Sequence, residues 1–214
     1  MTRTIIFDMD GTLFQTNLIL EPALETTFNE LRNKDLWNGK TPIDRYREIM
    51  GVPLNVVWET LLPQHSLMIR NEANDIFHEQ LIQHINKGDG ELYEEVEATL
   101  EILANHYNLF IASNGQMEYL QAIVGKYQLN RWIKKTYSIQ QVESGSKSDL
   151  VKRIIQESNI TQGYVVGDRI SDINAAKDNK LIAVGCQFDF SQPSELEQAD
   201  VVIQHMTELT SIVI

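Results

Sequence analysis

Cysteine is all but missing from this chain. Cys186 stands alone among 214 residues, which leaves no internal disulfide and no cysteine-based zinc site to expect. After Leu181-Ile182-Ala183-Val184-Gly185 it reads as a small, half-buried residue. Basic residues are scarce too: 18 Lys and Arg stand against 30 Asp and Glu, a formal net charge of −12. Nucleic acid is therefore not an expected partner, because phosphate backbones are held by a positive footprint. No stretch approaches the ~20 apolar residues of a membrane span, so no membrane partner is expected either. The five histidines form no i, i+4 pair of the kind that holds a metal on a helix. Repeats, low-complexity tracts and a leader-peptide pattern are also lacking, and a cytoplasmic location is expected.

What is there begins with Ile5-Ile6-Phe7-Asp8-Met9-Asp10-Gly11-Thr12-Leu13. The apolar run has the pattern of a strand buried on both faces. It ends in two carboxylates spaced i, i+2, which a strand points to the same side. Two acids held that close repel, so a cation between or beside them is expected. A hard divalent ion with oxygen ligands is the simplest answer. Gly11 permits a sharp turn and a close approach to a ligand. Taken alone, Asp-Gly is also a common solvated turn, and the rest of the chain decides against that plainer reading.

With 43% apolar residues, the chain suits one large domain or a core with an insert. Helical spacing governs the stretch after Leu13. It predicts helices over Glu21–Arg32, with Pro22 in the first turn, and over Ile43–Met50, Pro53–Leu62 and Ser66–Ile85, closed by the breaker cluster Asn86-Lys87-Gly88-Asp89-Gly90. Trp37, Trp58 and Trp132 read as packing residues. From Glu94 onward predicted helices and strands alternate: helix Glu94–His106, strand Asn108–Ala112, helix Met117–Tyr127, strand Lys134–Ile139, helix Ser148–Glu157, strand Tyr164–Val166, helix Ser171–Asp178, then strands Leu181–Val184 and Val201–Ile203. That alternation predicts an α/β fold with a doubly wound parallel sheet. The predicted division is a core of residues 1–14 and 90–214 with a helical insert of residues 15–89. Ligands of such sheets sit at the carboxyl ends of strands, and Asp8, Ser113 and Asp168 all fall there.

Four segments thereby converge: Asp8 with Asp10, Ser113 with Asn114, Lys147 after a Gly-Ser loop, and Gly167-Asp168-Arg169-Ile170-Ser171-Asp172. A phosphoryl group needs its oxygens compensated by a metal, an ammonium and N–H or O–H donors. A carboxylate can act as nucleophile when its own charge is offset. Singly, each segment has a plainer reading: Asp168 and Asp172 as solvated helix caps, and Lys147 as a surface cation. Gly145-Ser146-Lys147-Ser148 lacks the spacing of a nucleotide phosphate loop.

Asp8-Met9-Asp10-Gly11-Thr12-Leu13, Ser113-Asn114, Lys147 and Gly167-Asp168 with Asp172 resemble, in that order, the four motifs of the haloacid dehalogenase superfamily. The helical block resembles the cap inserted after the first motif in its phosphoglycolate phosphatase-like and β-phosphoglucomutase-like branch. The resemblance implies a Rossmann-like core and an Mg2+-dependent phosphatase acting on a small phosphorylated metabolite through an aspartyl phosphate. By position, Asp8 is the implied nucleophile and Asp10 the implied proton shuttle. The implied Mg2+ ligands are Asp8, Asp10 through its backbone carbonyl, and Asp168, with Asp172 behind them. Ser113, Asn114 and Lys147 are the implied phosphate contacts, Ser113 and Lys147 also counting as catalytic. Many members of that branch carry an acid where this chain has Gln15, a departure close to the insert. Arg45 and Arg47, in the helical block, are candidate substrate contacts that suit a solvated surface equally well.

Three rival functions share parts of the pattern. A 2-haloacid dehalogenase needs no second acid, so Asp10 argues against it. A phosphosugar mutase shares every core motif, but members of that kind tend to carry an Arg just after a Gly-x-Ser, where this chain has Gly39-Lys40-Thr41-Pro42. A phospho-acceptor signalling domain has no room for so large a helical insert. The reading adopted is a phosphomonoester hydrolase.

Overall fold

The structure is a computed structural model that describes residues 3–49, 52, 54–189 and 191–214. Its strands are β1 (Arg3–Phe7), β2 (Asn108–Ser113), β3 (Ile133–Ser138), β4 (Gln162–Gly167), β5 (Ile182–Cys186) and β6 (Val201–Ile203). Between β1 and β2 come α1 (Asn17–Asn33), α2 (Ile43–Glu48), α3 (Leu54–Leu61), α4 (Leu67–Lys87) and α5 (Val96–Ala104). After β2 follow α6 (Met117–Lys126), α7 (Lys147–Ser158), α8 (Ile170–Asp178), α9 (Pro193–Leu196) and α10 (Glu208–Val213).

The strand order is β3-β2-β1-β4-β5-β6, and every neighbouring pair is parallel. This is the doubly wound α/β sheet that the alternation predicts. Thr4-Ile5-Ile6-Phe7 is β-branched or aromatic throughout and fully buried, as a central strand requires. Parallel neighbours cannot be joined by a tight turn, so helices carry each crossover. On one face Ile6, Phe110, Val165 and Ala183 pack against Leu150, Val151 and Ile154 of α7 and Ile173 and Ala176 of α8. On the other, α5 packs on β2 and α6 on β3, with α10 against α5. The winding reverses between β1 and β4, which opens a crevice at their carboxyl ends.

The chain divides into two compact units, one built from the residues up to Gln15 together with Leu92–Ile214, the other from Thr16–Glu91. The second is helical. Its α4 packs against α1 and α3, with Phe77 of α4 placed 5.7 Å from the Trp58 ring and 5.5 Å from Tyr46. Trp58 also donates Nε1–H to Asn74 Oδ1 at 2.9 Å. The breaker cluster is a helix cap: Gly88, at φ 91°, ends α4 and donates its N–H to the carbonyls of His84 and Ile85. No helix among the described residues is long and apolar enough to cross a membrane.

Several boundaries differ from expectation. α1 starts at Asn17, so Pro22 lies inside it and not in its first turn. Pro22 has no N–H for the Leu18 carbonyl, and buried Ile19, Leu20, Ala23 and Leu24 anchor the helix on both sides of that gap. Met50, Gly51 and Pro53, at predicted helix ends, lie outside the described residues. β5 runs on to Cys186, which is wholly buried, not half-buried. Ile139 leaves the strand for a short turn of 3-10 helix because the Ser138 hydroxyl accepts the Gln140 N–H. The short α9 and α10 have no predicted counterpart.

Candidate active site

The site starts where β1 stops. Asp8 still donates its N–H to Val166 of β4 at 2.8 Å. The chain then turns on itself, with the Leu13 and Phe14 N–H groups both reaching the Met9 carbonyl at 2.9 Å. Gly11 makes the turn with φ +74°, and a Cβ there would lie 2.4 Å from Asp168 Oδ2. Both observations call for glycine. Gly11→Ala is therefore expected to cost about 1–3 kcal/mol in urea unfolding, because the backbone is strained and Asp168 must move.

Two segments meet Asp8. Lys147 opens α7 and places Nζ 2.7 Å from Asp8 Oδ1 and 2.5 Å from Asp172 Oδ1. Asp172, in the first turn of α8, accepts the Arg169 backbone N–H on Oδ2 at 3.1 Å. Gly167 makes room for it, since a Cβ there would stand 2.1 Å from Asp172 Cγ. Asp168 Oδ1 accepts the Thr12 hydroxyl at 3.3 Å. The loop is pinned from outside by Glu195, which takes two 3.0 Å hydrogen bonds from the Arg169 guanidinium and one of 2.9 Å from the Ile170 N–H. Bidentate pairing of this kind fixes orientation as well as position.

Asp8, Asp168 and Asp172 thus form one buried cluster, with an oxygen from each within 4.8 Å of the others. Burial pushes the Asp168 carboxyl well above the usual carboxylate range, and the charges of Asp8 and Asp172 push it further. Asp172 is pushed up to about 6, burial outweighing the pull of Lys147. Burial alone favours a neutral Lys147, yet Asp172 and Asp8 together hold its ammonium above its ordinary value. Three carboxylates against one ammonium leave the cluster short of positive charge. Its all-oxygen donor set fits a hard divalent cation.

Ser113 ends β2, beside Ser138 at the end of β3. Its Oγ accepts the Gly115 N–H at 3.0 Å, and Ser138 Oγ donates to the Gly115 carbonyl at 2.7 Å, so the Ser113-Asn114-Gly115 loop is fixed from both sides. The Gly115 amide is thereby engaged within the loop. Asp10 directs its carboxylate elsewhere than the cluster of three: Oδ1 accepts the Tyr119 hydroxyl at 2.5 Å. Asp172, expected behind the ligands, stands in the cluster, but both its oxygens are engaged by Lys147 and Arg169. Arg45 and Arg47 lie on α2 in the helical unit, where Arg45 pairs with Glu48 at 2.6 Å and Arg47 with Glu21 at 3.2 Å. Gln15 donates to the Leu92 carbonyl at 2.8 Å.

Tyr119 and Glu195 were not legible beforehand as members of the site. Tyr119 does stand in the first turn of the helix that follows Ser113-Asn114-Gly115, which is a usable signal. Glu195 has none, since its partners lie 25 and 26 residues away.

Residues 5–185 match the profile of a family described as haloacid dehalogenase-like hydrolase. The chain belongs to the haloacid dehalogenase-like hydrolase family. It is an enzyme of that hydrolase class, as the four motifs led one to expect. This family member is 25% identical to pyrophosphatase PpaX of Listeria monocytogenes over 219 residues, covering 98% of this chain and 95% of that protein. The corresponding pyrophosphatase PpaX of Listeria innocua is also 25% identical over the same coverage. Among solved structures, a predicted phosphoglycolate phosphatase from Haemophilus somnus superposes with a TM-score of 0.86 at 18% identity, over 100% of this chain and 98% of the other. CbbY from Rhodobacter sphaeroides, solved in complex with phosphate, gives 0.81 at 17% identity, over 98% and 96%. At such identities the solved structures speak for the fold.

Proposed function

We propose that this hydrolase is an Mg2+-dependent phosphatase of small phosphomonoesters, working through a phosphate held on Asp8. The observation that carries the reading is the shared ammonium: Lys147 bonds Asp8 and Asp172 at once, beside Asp168, in the crevice between β1 and β4. Asp8, Asp168 and the Asp10 carbonyl would hold the cation, with Asp172 fixing Lys147 behind them. When bound, the cation offsets negative charge on the phosphoryl oxygens and on Asp8.

Asp8 keeps Oδ1 on Lys147, which orients Oδ2 toward the phosphorus. Attack forms the Oδ2–P bond and breaks the bond to the leaving oxygen, to which Asp10 gives its proton. In the second step Asp10 takes a proton from water. The water oxygen bonds phosphorus, and the Oδ2–P bond breaks. Ser113 and Lys147 hold the phosphoryl oxygens as charge moves, with the Asn114 side chain beside them. The helical unit, inserted in sequence between the first two site segments, is assigned to selection of the leaving group. Arg45 and Arg47 are its candidate contacts for a second anionic group on a substrate.

The similarity to proteins named pyrophosphatase makes pyrophosphate the first anhydride to compare with phosphomonoesters. Purified enzyme with Mg2+ is offered 4-nitrophenyl phosphate, phosphoglycolate, sugar phosphates and pyrophosphate, and orthophosphate release is followed. Turnover of at least one monoester is expected, and silence on all of them would overturn the reading. EDTA is expected to abolish release, with excess Mg2+ restoring it. Calcium should not substitute, because its larger and looser coordination spoils the line of attack. Full activity in EDTA would remove the metal from the mechanism.

A further inference from the structure

Asp10 is the one acid of the first motif that the carboxylate cluster does not hold. Its partner is Tyr119, whose hydroxyl donates to Asp10 Oδ1 at 2.5 Å across 109 residues of sequence. The tyrosine ring is buried, 3% exposed. It lies along Gly115: a Cβ there would meet the ring at 3.1 Å and Ser113 Oγ at 3.3 Å. The start of α6 is tied down as well, since the Met117 N–H reaches Gln140 Oε1 at 2.9 Å. One rigid, packed ring therefore reaches from the loop that carries Ser113 to the carboxylate of Asp10. A tyrosine has only two side-chain torsions to order, so it holds a distant oxygen at low entropic cost.

We propose that Tyr119 is the positioning residue for Asp10. Fixing Oδ1 sets the direction of the second oxygen, and a proton shuttle works only when its oxygen lies within hydrogen-bond reach of the atom it serves. The tie to Gly115 makes that direction a property of the phosphate loop. This proposal rests on the reading of Asp10 as proton donor and acceptor.

The test is Tyr119→Phe, which keeps the ring and removes the donor. It is read with two substrates, 4-nitrophenyl phosphate and an alkyl phosphate whose leaving group must be protonated. The expected loss in kcat is about tenfold or more with the alkyl phosphate, the worth of one hydrogen bond to a charged group, with KM little changed. With 4-nitrophenyl phosphate the first step should slow only slightly, and phosphate should build up on Asp8 because the second step still needs the base. The ratio between substrates within one preparation does not depend on the fraction folded. Placed on an Asp10→Asn background, Tyr119→Phe should cost nothing more, since the two act as one unit. Equal slowing of the first step with both substrates and no phosphate held on Asp8, or a full further loss on that background, would make Tyr119 merely structural and overturn the proposal. If Asp10→Asn alone shows neither leaving-group dependence nor trapped phosphate, the reading of Asp10 itself fails, a result distinct from any failure of Tyr119.

Discussion

Asp8→Asn is expected to lower turnover by about 10⁶-fold, the scale on which loss of a covalent nucleophile acts. The variant should keep its fold. Lys147 retains Asp172 as a partner, and one of the two like charges that raise the Asp168 carboxyl disappears. Without a divalent cation the variant should therefore melt no lower than the parent protein. Asp10→Asn is expected to lose about 10²–10⁴-fold, the usual worth of general acid–base catalysis. The two failures differ in kind. With an aryl phosphate, whose leaving group needs little protonation, Asp10→Asn should accumulate phosphate on Asp8, whereas Asp8→Asn should never form the covalent species. Rapid quench and peptide mass spectrometry separate the cases. Phosphate on another residue, or sustained turnover by Asp8→Asn beyond what deamidation to Asp supplies, would overturn the mechanism.

Lys147→Met is expected to have the largest effect on stability. Methionine fills a similar volume, but it leaves Asp8, Asp168 and Asp172 with no ammonium in a buried site. Removing one partner of a buried ion pair typically costs about 3–5 kcal/mol, because the remaining charge is uncompensated. Urea unfolding should show that loss. A divalent cation should recover part of it, so Mg2+ should raise the Tm of the variant more than that of the parent protein. A Tm equally insensitive to Mg2+ in both proteins would mean that these carboxylates do not hold the ion. Catalysis should fall as well, since Asp8 loses the contact that orients it and the phosphoryl oxygens lose a cation.

The parts of this architecture that were legible in the sequence are those written in local pattern. Ile5-Ile6-Phe7 had to be a buried strand because nothing polar interrupts it, and its end coincides with the paired acids. Strand-end placement of Ser113 and Asp168 followed from the alternation of elements, and β2 and β4 do end at Ser113 and at Gly167. The start of α1 was not legible, because Pro22 is a strong start signal and only burial of Ile19 and Leu20 overrides it. The four-residue α9 and six-residue α10 are too short for a 3.6-residue period to declare itself. Tyr119 and Glu195 were hidden for a different reason: their hydrogen bonds exist only once segments distant in the chain are folded together, and only Tyr119, in the first turn after the Ser113 loop, carries a positional signal.

The central place of β1 also fixes an order of events during synthesis. Its neighbours in the sheet lie about 100 and about 160 residues further along the chain, at β2 and β4. At the ~5–20 residues per second of a ribosome, the second neighbour follows on the order of 8–30 s later. The apolar strand has two open edges until β2 emerges and one until β4 does, the condition under which chains pair with the wrong partner. The helices of Thr16–Glu91 are contiguous in sequence and can pack meanwhile. A nascent chain halted before Gly167 thus carries Asp8 without the acids that complete its site, and it offers an unpaired hydrophobic edge to its neighbours.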